Sequence, residues 1–99
     1  MKIETTQTFV RNLKSLKKKH HNISKLREVL DLIVNRQHDE LVRVYRDHQL
    51  QGNLKEFREL HIESDWLLIY KVENENLTLL LITTGKHDDV FRNASNYAG

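Results

Sequence analysis

Three histidines and an aspartate, His48, His61, His87 and Asp65, fall in the second half of this 99-residue chain among strand-like apolar runs. Histidine is the only side chain whose unperturbed pKa, about 6.5, lets it take up and release protons at neutral pH. Imidazoles and a carboxylate are also a legitimate zinc ligand set. No pair of histidines has the His-x-x-x-His spacing that places two ligands on one helix face, so acid–base chemistry without a metal or other cofactor is the preferred reading. Trp66 and Phe91 accompany the set. Each offers an aromatic face to a stacked ligand, although Trp66 would serve equally as a core ring and Phe91 as a hydrophobic latch for the sheet.

The elements that must position these residues are legible as patterns. In Phe57–Glu63 side chains alternate, so Leu60 and Ile62 point one way and Glu59, His61 and Glu63 the other. The apolar pair is expected to meet helices, which leaves His61 on the open side of the sheet with Asp65 at the following turn. Further strands are expected at Trp66–Val72 and Leu77–Thr83, joined by the polar loop Glu73–Asn76, with a short one at Lys2–Thr5. Leu77–Ile82 is almost continuously apolar, as in a strand covered on both faces. Thr6 or Thr8 should cap a helix with the stripe Phe9, Leu13 and Leu16. His20-His21-Asn22 interrupts it, and Ser24 is positioned to cap a second helix with Leu26, Val29, Leu30 and Ile33. Between Asn35 and Gly52 the pattern is polar and irregular, anchored by Leu41, Val42, Val44 and Tyr45, and Gln51-Gly52-Asn53 reads as a turn. Residues Arg92 to Gly99 read as a frayed or accessory tail. The expected fold is α+β, a mainly antiparallel four-stranded sheet with a two-helix hairpin on one face. His48 then lies in the loop entering the sheet and His87 follows the strand leaving it. Loop ends over a sheet face are where sites assemble.

Composition narrows the class. The length allows one domain, residues 1–99, with a small core: 38% of residues are apolar and 30% charged. There is no cysteine, so neither a disulfide framework nor a thiolate metal site is available. The N-terminus lacks the apolar stretch of a signal peptide, and no run approaches the roughly 20 apolar residues of a membrane helix. A cytoplasmic protein with no membrane partner is expected. The net charge is only +2, yet Lys14, Lys17, Lys18, Lys19, His20 and His21 crowd one segment. Such a cluster attracts nucleic acid or an acidic protein, and it also suits the negative end of a helix dipole.

The wording of three segments is distinctive: Tyr45-Arg46-Asp47-His48, His61-Ile62-Glu63-Ser64-Asp65-Trp66-Leu67-Leu68-Ile69-Tyr70 and Thr84-Gly85-Lys86-His87. Together they resemble the YafQ branch of the RelE-type toxins, small ribonucleases of bacterial type II toxin–antitoxin pairs. The resemblance spans nearly the whole chain and is dense from Tyr45 to Phe91. It implies a RelE-like domain that cleaves mRNA on the translating ribosome and is held in a hetero-oligomer by a DinJ- or RelB-like antitoxin. Operator DNA would be contacted only through that antitoxin. RNA supplies its own nucleophile, the 2′-hydroxyl, so cleavage needs only a base, an acid and cationic or donor groups on the phosphate. The resemblance assigns the acid–base work to His48, His61, Asp65 and His87, with His87 as proton donor, and the RNA contacts to Trp66 and Phe91. Where the family places an arginine, this chain has Thr83, which implies reduced activity unless Lys86, Arg46 or Arg58 supplies the missing charge. Relatives of the ParE type share the architecture but act on gyrase, so a non-catalytic protein-binding module is the alternative.

Overall fold

The computed structural model describes every residue except His20. Five strands build one mixed sheet in the order β1-β5-β4-β3-β2: β1 Lys2–Thr5, β2 His48–Gln49, β3 Arg58–Glu63, β4 Trp66–Glu73 and β5 Thr78–Gly85. β1 runs parallel to β5, and the other neighbours pair antiparallel. The expected four-stranded, mainly antiparallel sheet is therefore corrected to five mixed strands. The parallel pair arises because the chain leaves β1 into helices and returns to the same sheet only at β2.

Four helices accompany the sheet among the described residues: α1 Gln7–Lys18, α2 Ile23–Val34, α3 His38–Tyr45 and α4 His87–Ala98. Thr6 caps α1, its hydroxyl accepting from the Phe9 amide at 3.0 Å while donating to the Ile82 carbonyl at 2.6 Å. That pair of bonds fixes the helix to the sheet where β1 ends. Asn22, rather than Ser24, caps α2, its side-chain oxygen accepting from the Ser24 amide at 3.1 Å. The stripes of both helices pack on one sheet face with Leu60, Ile62, Trp66, Leu68 and Leu79.

Two helices were not legible. The segment read as irregular contains α3, in which Leu41 is buried and Tyr45 half-buried, while Val42 and Val44 point to solvent. Asp39 and Glu40 in its first turn favour the positive end of the helix dipole, and Arg46 ends it in a left-handed conformation. The expected tail is α4, which lies on the opposite face and buries Val90 and Ala94 against Leu67, Ile69 and Ile82, with Phe91 partly covered. The face predicted to be open is thus covered along much of its length. Helices on both faces are why Leu79 to Ile82 are all buried.

Candidate active site

β3 and β4 carry the centre of the site. His61 pairs across to Leu67, and a bulge between His61 and Glu63 loosens the ladder before the turn that presents Asp65. Bulges commonly re-aim side chains in this way. Two residues before His61, Glu59 sits opposite His48 of β2, so the three side chains share one sheet face. Glu59 is almost fully buried. Its Oε1 lies 3.6 Å from His48 Nε2 and 3.6 Å from His61 Nε2, while its Oε2 has no hydrogen-bond partner. A buried carboxylate with a spare oxygen is costly unless cations or donors face it. Two imidazoles do so here. Glu59 had been read only as sharing the face of His61, and its i, i−2 spacing from that histidine was the available signal.

His48 is fixed from its own side. Its Nδ1 is 2.8 Å from the Arg46 carbonyl. The neighbouring Asp47 is buried, accepting from Arg58 Nε at 2.6 Å and from the Tyr70 hydroxyl. Burial, reinforced by this carboxylate, holds the Tyr70 hydroxyl well above the ordinary tyrosine pKa. Arg58 is consequently committed to a structural pair and is not a free cation for substrate. At the far side of β3, Lys25 of α2 pairs with Glu63 at 2.7 Å, and that carboxylate raises the lysine pKa by hydrogen bonding and charge.

His87 opens α4, directly after Lys86. Its ring leans on Phe91 one turn later, centroids 4.6 Å apart at 45°, and is two-thirds exposed. Phe91 therefore acts both as a latch on the second core cluster and as the surface that sets the His87 ring. His61, Asp65, Lys86 and His87 together line one open cavity of about 440 Å³ between the β3–β4 turn and the start of α4. His48 stands outside its lining and joins through Glu59. Arg46 shares a separate groove of about 290 Å³ with His61 and Ser64. No three His, Cys, Asp or Glu side chains among the described residues are grouped as a metal site.

Two expected RNA contacts are placed elsewhere. Trp66 is fully buried in the core under α1, and its indole N–H donates to the Thr84 hydroxyl at 2.9 Å. Its face is not free to stack on a base. Thr83 is also fully buried: its hydroxyl donates to Asn12 of α1 at 2.8 Å and accepts from Asn93 of α4 at 3.3 Å. Thr83 clamps two helices together and does not reach the cavity. The apolar runs Trp66–Tyr70 and Leu77–Ile82, which hold or adjoin these two residues, are the signal for their burial.

Comparison with known proteins decides the lineage. The family model described as the bacterial toxin of type II toxin–antitoxin systems, YafQ, matches residues 1–92. The chain belongs to the YafQ toxin family. It is 36% identical over 89 residues to the mRNA interferase toxin YafQ of Escherichia coli strain K12, covering 90% of this chain and 94% of that protein. The solved E. coli DinJ–YafQ complex is similar at 35% identity, with a TM-score of 0.78 over 90% of this chain and 96% of the solved one. A YoeB/ParE toxin from Agrobacterium tumefaciens, at 17% identity and a TM-score of 0.67 over 88% of this chain and 99% of that one, shares the fold alone. No helix is long and apolar enough to cross a membrane.

Proposed function

We propose that this chain is the toxin of a type II pair and an endoribonuclease that cleaves mRNA on the ribosome. The observation that carries the reading is the convergence of His61, Asp65, Lys86 and His87 on one cavity, with Glu59 tying His61 to His48. In this reading the 2′-hydroxyl oxygen attacks the adjacent phosphorus and its proton passes to His61. His48 and Glu59 hold that imidazole in place and share its charge. The bond from phosphorus to the 5′-oxygen breaks, and His87 gives that oxygen a proton. A 2′,3′-cyclic phosphate and a 5′-hydroxyl result. Lys86 and Arg46 each line a cavity that His61 also lines, and they provide the positive charge on the phosphate that Thr83 cannot. Phe91, already under His87, is the aromatic surface left for a base. Asp65 faces the same cavity as a second carboxylate for orienting the imidazoles.

The solved DinJ–YafQ complex supports a DinJ-like antitoxin as partner. In this reading an acidic segment of that antitoxin covers this face or the Lys14–Lys19 end of α1. Induced expression with and without the neighbouring antitoxin tests the whole reading. Growth arrest with shortened transcripts is expected, relieved by the antitoxin. His87→Ala should relieve arrest while the protein stays folded, since loss of a general acid costs about 10²–10⁴ in rate. Arrest of replication with intact messages would favour the gyrase-directed alternative.

A further inference from the structure

A second cavity opens beside the candidate site, with a volume of about 180 Å³. Its walls come from α1, which supplies Asn12, Ser15 and Lys19, from His21 in the α1–α2 connection, and from Lys86 in the β5–α4 turn. Trp66 forms part of its floor, with His21 edge-on at 5.1 Å and 74°. Asp65, Lys86 and Asp89 line both this cavity and the catalytic one. A strand of RNA with its scissile phosphate in one cavity must therefore pass the mouth of the other.

We propose that this second cavity is a nucleotide subsite, which takes the base next to the scissile phosphate while Lys19 and Lys86 hold the flanking phosphates. This rests on the reading of the neighbouring cavity given above. Neither lysine is ion-paired among the described residues. The carbonyl oxygen of the Asn12 side chain is taken by the Thr83 hydroxyl and the Thr84 amide, so its NH₂ remains as a donor. The Ser15 hydroxyl can donate or accept, and the Asp89 carboxylate can accept from an exocyclic amine. A recess with donors and acceptors on its walls and lysines at its mouth suits the edge of an unstacked base of single-stranded RNA, read by hydrogen bonds and not by stacking on the buried Trp66. An acidic peptide would satisfy the lysines, but it would meet the carboxylates of Asp65 and Asp89 at the same rim. The subsite also gives a use to Lys19, the innermost member of the lysine run.

Binding of labelled single-stranded octamers made of 2′-O-methyl RNA, which lacks the nucleophile and cannot be cleaved, tests the subsite with the intact protein. Lys19→Ala should weaken all sequences alike and reduce the slope of log affinity against log salt by about 0.7, the value for one single-strand phosphate contact. Ser15→Phe, at an exposed helix position, fills the recess. It should weaken binding about tenfold and flatten any preference among the four bases, as expected when one base loses its hydrogen-bonding recess. Wild-type affinity, slope and base preference in both variants would overturn the subsite, as would failure of the wild-type protein to bind the octamers. So would variants that bind RNA normally and lose only the antitoxin, which would give the lysines to the protein partner. Cleavage of ribosome-bound mRNA is measured in parallel. No cleavage by a wild-type protein that binds octamers as described would sink the nuclease reading and leave the subsite standing. Cleavage with unchanged KM in both variants would do the reverse.

Discussion

Asp47→Ala probes how the fold holds His48, and its cost follows from the contacts. The carboxylate is fully buried, accepting from Arg58 Nε at 2.6 Å and from the Tyr70 hydroxyl. A hydrogen bond to a charged group contributes about 1.5–3 kcal/mol, so two give about 3–6. Arg58 is 30% exposed, and water recovers part of its loss. About 3–5 kcal/mol remains, which is also the usual cost of breaking a buried pair by removing one partner. A domain of this length has about 5–15 kcal/mol in total at 0.05–0.15 per residue. At about 4–8 °C per kcal/mol the melting temperature should fall by roughly 12–40 °C. Thermal melts and urea titration read this directly. Tyr70→Phe, which leaves the Arg58 pair intact, should cost about 1.5–3 kcal/mol, the value of one bond to a charged group. The double variant should cost less than the sum, because both changes remove one shared bond. At temperatures where Asp47→Ala is still folded, cleavage should also fall, since Asp47 lies between Arg46, whose carbonyl meets His48, and His48 itself. A melting temperature within about 4 °C of wild type, less than 1 kcal/mol, would refute the reasoning.

Three further outcomes are expected. Glu59→Gln keeps the shape of the side chain and removes its charge, so the protein should remain folded while cleavage drops at least tenfold; full activity would show that the His48–Glu59–His61 contact is not used. Thr83→Arg breaks the bonds to Asn12 and Asn93 and forces a guanidinium between α1 and α4, costing about 1–3 kcal/mol without raising activity. A stable and faster Thr83→Arg enzyme would show instead that the longer side chain reaches the phosphate. Alkaline stability should be governed in part by Tyr70: its folded pKa lies above the ordinary tyrosine value of about 10, so its contribution is complete below that pH and is lost as pH rises beyond it. The slope approaches about 1.4 kcal/mol per pH unit for one group, and Tyr70→Phe should flatten it.

Much of the architecture was legible because it is written in periodicity. The alternation of Leu60 and Ile62 with Glu59 and His61 placed the histidine on the correct sheet face, and the stripes of α1 and α2 named their buried residues. α3 and α4 were not legible because each buries only about one turn of apolar side chain. In α3 four anchors, Leu41, Val42, Val44 and Tyr45, show no single stripe in sequence, and only Leu41 and Tyr45 turn inward while Val42 and Val44 are exposed. In α4 the stripe is Val90, Phe91 and Ala94 in an otherwise polar segment, and it becomes a helix face only because Leu67, Ile69 and Ile82 wait for it on the sheet. The same limit applies to the site. Residue types named His61, Asp65 and His87, but whether Trp66 and Thr83 face substrate or core depends on which helix lies over them.

That dependence joins stability to chemistry in this small domain. His48, Asp65, Lys86 and His87 are exposed and His61 partly so, and three of these side chains are held by a neighbour that belongs to the core. His48 follows Asp47, which is locked under Tyr70, and Asp65 precedes Trp66, whose indole is bonded to Thr84. His87 leans on Phe91, and Phe91 packs with Val90 and Ala94 on the sheet. Lys86 has no such tether among the described residues, and it is the cation that lines both cavities. A flexible cation between two fixed walls suits a phosphate that must be held through a change of geometry, whereas the proton carriers require fixed positions. The buried anchors therefore explain why substitutions well away from the cavity, at Asp47 or Tyr70, are expected to reach the reaction through the positions of the histidines.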